Sequence, residues 1–596
     1  MDLYGFYTGK ILDAYEYLGC HYTKAETTFR TFAPSASHIS LTGDFNNWGE
    51  TPMNRVQNGA FYECIIPNVA PGSMYKYRIY KSDGSYVDHC DPYGFQMELR
   101  PNFASMVTDL YSFEFTDKKW INSRTNCKDK PLNIYEVHLG SWKNNTNNEN
   151  GWYSYSELKD LLIPYVKEHN YTHIEMLPIS EHPCDNSWGY QCTGFYSPTK
   201  RYGTPDELKD FINECHLNGI GVILDFVPVH FAVDAYALAE YDGTCIYEYP
   251  NADVGYSEWG SKNFMHSRGE VQSFLSSCAN YWIKEFHFDG LRIDALSNII
   301  YWHGDKNRGV NNNAVDFIKH MNRELKNTHK GIMLIAEDST AFPNVTDRFS
   351  DNSLGFDYKW DMGWMNDTLD YFKNSPDNRS NMYHKLTFSM MYYYGENFLL
   401  PLSHDEVVHM KGTIVQKMCG DLHEKFTQAM ALYMYMYAHP GKKLNFMGNE
   451  IGQLREWDER REQDWHILET PEHKNFANFM DALNKIYVTE PAFFTFDHNE
   501  CGFNWIDCHQ EERCIYAFER TCDNNKIIAV FNFSKYAHDY DLYFNNNIDL
   551  EVLLSNSEET YGGHGIYKKG QKLSTNYNKI TLHLEPFSGL FFKGIL

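Results

Sequence analysis

The chain has 596 residues, 42% hydrophobic and 22% charged, too long for one hydrophobic core, so two to four domains are expected. Its net charge of −26, from 53 basic and 79 acidic residues, argues against nucleic acid or other polyanions as partners. No run of about 20 apolar residues exists to span a membrane, and Met1-Asp2-Leu3-Tyr4-Gly5 lacks the basic start and apolar run of a secretory signal.

Residues 1–24 read as a short helical arm. From 25 to 116 the pattern is short alternating strands (28–32, 38–42, 61–66, 75–80) broken by the turn pairs Asn58-Gly59, Pro71-Gly72 and Asp83-Gly84, which predicts a β-sandwich. Residues 117–130 are polar and read as a linker. From 131 to 499 the rhythm becomes strand, helix, strand. Eight strands are predicted at 134–138, 173–177, 222–227, 290–293, 332–336, 355–359, 398–400 and 444–446. The clearest amphipathic helices lie at 155–168, 205–217, 271–285, 314–325 and 422–437. Eight such units make a (β/α)8 barrel, with an insertion at about 231–268. Strands return from 500 to 596 (514–518, 527–533, 540–544, 580–584, 589–593) and predict a second all-β domain. The fold class is therefore a multidomain α/β chain, a barrel between two β-sandwiches.

The 14 cysteines are scattered and no Cys-x-x-Cys occurs. That is the pattern of reduced, buried thiols in a cytoplasmic protein rather than a disulfide framework.

Three acids end three apolar runs: Asp294 in Gly-Leu-Arg-Ile-Asp (290–294), Glu337 in Met-Leu-Ile-Ala-Glu (333–337) and Asp405 in Pro-Leu-Ser-His-Asp (401–405). A barrel gathers its strand ends on one face, where such enzymes keep their chemistry. Two carboxylates facing one bond suit glycoside chemistry. Arg292 lies two residues before Asp294, on the same face of the strand, and is expected to hold it ionised as a nucleophile. Glu337, near other carboxylates, is expected to have a raised pKa, as a general acid needs. Asp405, with His404 before it, suits sugar hydroxyls and ring distortion. Asp225 and His230 end the third strand. Each residue alone reads more readily as a surface ion pair, a helix cap or a structural histidine. The same polar bias at several strand ends is a stronger signal together. A metal is the competing reading for such a cluster, but no His-x-x-x-His helix or calcium loop accompanies it, and an arginine stands in its midst. No metal and no cofactor are therefore expected.

The segments 225–230, 290–294, 336–339 and 402–406 resemble the four signature regions of the α-amylase superfamily. Longer stretches are similar to 1,4-α-glucan (glycogen) branching enzymes: 135–142 (Tyr-Glu-Val-His-Leu-Gly-Ser-Trp), Ser187-Trp188-Gly189-Tyr190-Gln191, 336–341, 362–369, 396–409, and Phe446-Met447-Gly448 with Gly452-Gln453 and Glu456-Trp457. Gly43-Asp44-Phe45-Asn46-Asn47-Trp48 resembles that family's N-terminal glucan-binding module. The resemblance implies Asp294 as nucleophile, Glu337 as acid/base and Asp405 as transition-state stabiliser. It implies Tyr190, Asp225, His230, Arg292 and His404 as sugar contacts, and Trp48 as a sugar platform, the alternative being that Trp48 packs the sandwich. It implies an α-1,4-glucan as donor and acceptor, joined through a new α-1,6 branch. Asp338 and Met410 depart from the family's usual Glu and Gly. The same carboxylates would serve an α-glucan hydrolase of amylase or debranching type, and a non-catalytic glucan-binding protein is the rival of another class.

Overall fold

The computed structural model describes residues 1–346 and 353–595. Eight parallel strands close into a barrel: Asn133–Val137 (β1), His173–Met176 (β2), Gly221–Phe226 (β3), Gly290–Ile293 (β4), Met333–Ala336 (β5), Tyr358–Trp360 (β6), Phe398–Leu402 (β7) and Lys442–Phe446 (β8). The ring closes where β8 pairs with β1, Ile134 opposite Leu444. Every residue of these strands is buried, because helices cover the outside and side chains fill the inside. That is why strands such as β3 and β5 read as apolar runs rather than alternating patterns.

The barrel helices are Tyr155–Glu168 (α1), Pro205–Leu217 (α2), Gly269–Phe286 (α3), Asn312–Thr328 (α4), Met362–Lys373 (α5), Leu422–Ala438 (α6) and Pro471–Thr489 (α7). Among the described residues, every barrel strand except β5 is followed by one of them. Their starts are encoded locally. Ser154 with Glu157, Thr204 with Glu207, and Asp421 with Glu424 form reciprocal capping boxes, and Pro205 supplies a first-turn residue with no N–H to satisfy. α5 and α7 fall outside the segments predicted most clearly. α6 is apolar almost all round, with Phe426 and Gln428 through Ala438 buried. Tyr433 reaches Asn445 of β8, while Tyr435 packs on Phe531 and Phe533 of the last domain, so both sides of the helix are covered.

The expected N-terminal arm is helical at Leu3–Tyr7 and in a single 3-10 turn at Ala14–Glu16. Gly19–Tyr22 is instead a strand paired with Glu26–Phe32, carrying the buried Cys20. The two sheets of this sandwich centre on Glu26–Phe32 with Phe61–Pro67, and on His38–Gly43 with Met74–Tyr80. The polar stretch 117–130 contains a short helix, Lys118–Ser123, and is clasped to the barrel. Asp117 accepts from His216 Nδ1 (2.7 Å) and His287 Nδ1 (2.8 Å), and Trp120 Nε1 donates to Asp289 (2.8 Å). In the insertion after β3, His230–Phe231 pairs with Lys262–Asn263. The last domain adds strands Phe503–Gln510, Asp549–Ser555 and Lys572–Ser574 to those predicted, within a six-stranded sheet. Arg520 of this sheet ties it to the barrel through Asp497 (2.8 Å) and the Ala438 carbonyl (2.8 Å).

Candidate active site

Parallel register brings the first two acids together. Ile293 lies opposite Ala336 at the ends of β4 and β5, so the next residue on each strand, Asp294 and Glu337, are neighbours. Backbone bonds hold both: Asp294 N–H donates to Phe226 O (3.0 Å) and Glu337 N–H to Ile293 O (3.2 Å). Asp225 of β3 is the register partner of Arg292.

Arg292 organises the floor. Its Nη1 contacts Asp225 Oδ1 (2.6 Å) and Asp294 Oδ1 (2.9 Å), and its Nη2 contacts Glu337 Oε2 (2.8 Å). One guanidinium therefore spans both carboxyls. Glu337 Oε2 also accepts the Ala295 N–H (2.8 Å), presented by a left-handed residue with φ 43. Tyr190 OH donates to Asp225 and lies 3.3 Å from His404 Nε2. His404 sits between Glu136 of β1, 2.6 Å from Nδ1, and Asp405, 3.6 Å from Nε2.

Acids outnumber cations here, and burial shapes what each does. Burial, with the Glu337, Asp225 and Asp405 carboxylates adding, pushes the Asp294 carboxyl well above the usual range despite Arg292. The sequence reasoning expected Arg292 to hold Asp294 ionised; desolvation and three neighbouring acids outweigh one guanidinium. Burial likewise raises Asp225 to about 6 against the pull of Arg292 and Tyr190. Burial alone would lower His404, but Asp405 and Glu136 override it and raise it to about 10. Asp405 resists burial in turn and lies below the usual range, chiefly through His404 and Arg292. Burial lowers His230 to about 4, so its ring is neutral.

A cavity of about 400 Å³ opens on this floor, lined by Asp294, Glu337, Asp405, Tyr190, His230 and His404. The same cavity is walled by Trp188, Gln191, Trp259, Ala295 and His409, which sequence reasoning did not assign to the site. Arg292 and Asp225 are buried beneath it. Trp48 does not line it. It stands on the N-terminal sandwich, 42% exposed, with Lys76 Nζ 5.5 Å from its ring centre. Asp338 also lies outside the cavity wall. It is buried, paired with Lys359 (2.8 Å), and accepts from Thr340, so it braces the loop after β5.

Three family descriptions match the chain: Carbohydrate-binding module 48 (Isoamylase N-terminal domain) over 17–94, Alpha amylase, catalytic domain over 116–248 and 256–537, and Alpha amylase, C-terminal all-beta domain over 505–594. The 1,4-alpha-glucan branching enzyme GlgB of Fusobacterium nucleatum is 44% identical across 100% of this chain and 98% of its own. The chain belongs to the 1,4-alpha-glucan branching enzyme family. Other members agree: GlgB of Bacillus subtilis is 41% identical over 98% of this chain and 94% of its own, and that of Geobacillus stearothermophilus 42% over 95% and 90%. Among solved structures, a pullulanase from Anoxybacillus complexed with maltotetraose superposes with TM-score 0.76 at 16% identity, covering 100% of this chain and 89% of that one. The Bacillus acidopullulyticus pullulanase gives 0.74 at 18%, covering 97% and 74%. At such identity these two share the fold alone. Glu136, bonded to His404, is an acid that sequence reasoning did not assign to the site, although a carboxylate inside the run Ile-Tyr-Glu-Val was its signal. Trp259 sits in the insertion, where no periodic pattern marks it.

Proposed function

We propose that this chain cleaves an α-1,4 linkage and transfers the released chain to a glucan 6-hydroxyl, making an α-1,6 branch by retaining double displacement. Asp294 attacks the anomeric carbon while Glu337 protonates the departing 4-oxygen. A covalent glucosyl ester on Asp294 results. Glu337, now a base, takes the proton from an acceptor 6-hydroxyl, whose oxygen displaces Asp294. Asp405 and His404 hold hydroxyls of the distorted ring, and Tyr190 and His230 flank it.

What carries this reading is one guanidinium contacting both Asp294 (2.9 Å) and Glu337 (2.8 Å). Retaining chemistry needs carboxyls about 5 Å apart, whereas inverting chemistry leaves roughly 6.5–9.5 Å for a water. The choice of glucan over water as acceptor rests on family membership, since the carboxylates serve either. An exposed Trp48 supports a sugar platform on the N-terminal module. Fourteen free thiols, most of them buried, support a cytoplasmic location.

The test is trapping. Glu337→Gln supplied with α-maltosyl fluoride, whose leaving group needs no acid, accumulates a maltosyl ester on the peptide containing Asp294, read by mass spectrometry. An adduct on another residue, or an inverted product, contradicts the mechanism.

A further inference from the structure

The loop after β7 holds consecutive non-glycine residues in left-handed backbone, His409 with φ 57 and Met410 with φ 64. Residues with a Cβ adopt that conformation at a cost glycine avoids. A clamp fixes it. Glu456 accepts the Met410 N–H through one carboxylate oxygen (3.1 Å) and the Gly412 N–H through the other (2.6 Å). Lys411, between them, donates to the Asp405 carbonyl (2.7 Å) and to Glu406 Oε1 (3.3 Å). The loop is thus built onto the backbone of a cavity acid.

His409 lines the cavity and stacks on Trp188, ring centres 5.5 Å apart. The next side chain, Met410, is 96% exposed. A strained, clamped loop at the cavity rim therefore holds a long apolar side chain out in water. Such surface becomes favourable when something apolar covers it. The molecule that must lie across this rim is the glucan chain, whose pyranose C–H faces are apolar and whose neutrality suits an acidic protein.

We infer that Met410 is a glucan contact at the cavity rim, held there by Glu456 and Lys411 as positioning residues. This rests on the branching reading.

The test compares Met410→Ala, Met410→Gly and Glu456→Gln on amylose, following KM and kcat of branch formation. Covering about half of a methionine side chain is worth roughly a fivefold change in binding. KM is expected to rise about fivefold in Met410→Ala and Met410→Gly with kcat within about twofold, on that same estimate. Met410→Gly melts no lower than the parent, because glycine accepts this φ, so a KM change in it is not unfolding. Glu456→Gln can accept only one of the two N–H groups. It raises KM as well, and less than additively when combined with Met410→Ala. Parent-like KM in both Met410 variants overturns the inference while the branching reading stands. A parent that forms no α-1,6 linkage overturns the branching reading itself.

Discussion

His404 owes its charge to two neighbours, Glu136 and Asp405, which outweigh the burial that would otherwise lower its pKa. The imidazolium in turn keeps Asp405 ionised. Glu136 holds His404 twice, at Nδ1 (2.6 Å) and at the backbone N–H (2.9 Å). Glu136→Gln removes the anion and leaves the shape. His404 then loses part of what raises it and gives up its proton at lower pH. The His404 ring is expected to titrate about one pH unit lower, on the scale of a single close charge, followed by NMR of its ring protons; an unmoved titration would refute the linkage. Asp294, Glu337 and Asp405 were legible in the sequence because an acid closing an apolar run is conspicuous. Arg292 was legible from its two-residue spacing, but the state of Asp294 was not. That state depends on three acids from other strands, and no local reading sums them.

At the scale of elements, the stretch before β1 acts as a clasp rather than a spacer. His216 of α2 lies between Asp117 and Asp289 (2.7 and 3.0 Å), fully buried. Burial would lower its pKa, but Asp289 and Asp117 raise it to about 9. An unfolded histidine titrates near 6.5. Folding therefore gains from the bound proton fully below about pH 6.5, and the gain is lost as pH rises through about 9. The groups facing it include the two carboxylates with His287, Arg124 and Trp120, and both carboxylates are held below their usual range. The melting temperature is expected to fall between pH 7 and 9. His216→Gln should be less stable at pH 7 by an amount on the order of a few kcal/mol, so it melts lower, and lose that slope. An identical slope in the variant would assign the effect elsewhere. Polar composition made this stretch look like a linker, because each partner is distant in sequence: Asp117 with His216, Trp120 with Asp289, Asn126 with Asp357. The barrel strands were legible for the opposite reason. Burial on both faces makes several of them near-continuous apolar runs, Gly221–Phe226 and Met333–Ala336 above all. Phe503–Gln510 escaped because it is an edge strand, partly exposed along its length, with a broken register against its neighbour.

Across the whole molecule, a sandwich, a barrel and a second sandwich share buried ties, so the barrel is braced from both ends. Thr31 of the first sandwich bonds Tyr241 of the barrel insertion (2.7 Å). Asp497 is buried between Lys442 of β8 (3.1 Å) and Arg520 of the last domain (2.8 Å). The order of the three parts was legible from the change of rhythm near 131 and 500. Acceptor choice was not, because water and a glucan hydroxyl meet the same two carboxylates. The most direct measurement follows linear amylose with the purified protein, reading α-1,6 anomeric protons by NMR and reducing ends in parallel. New α-1,6 signal with little gain in reducing ends is expected, and that signal is lost in Asp294→Ala. Reducing ends that climb without α-1,6 signal would make the chain a hydrolase and contradict the transfer.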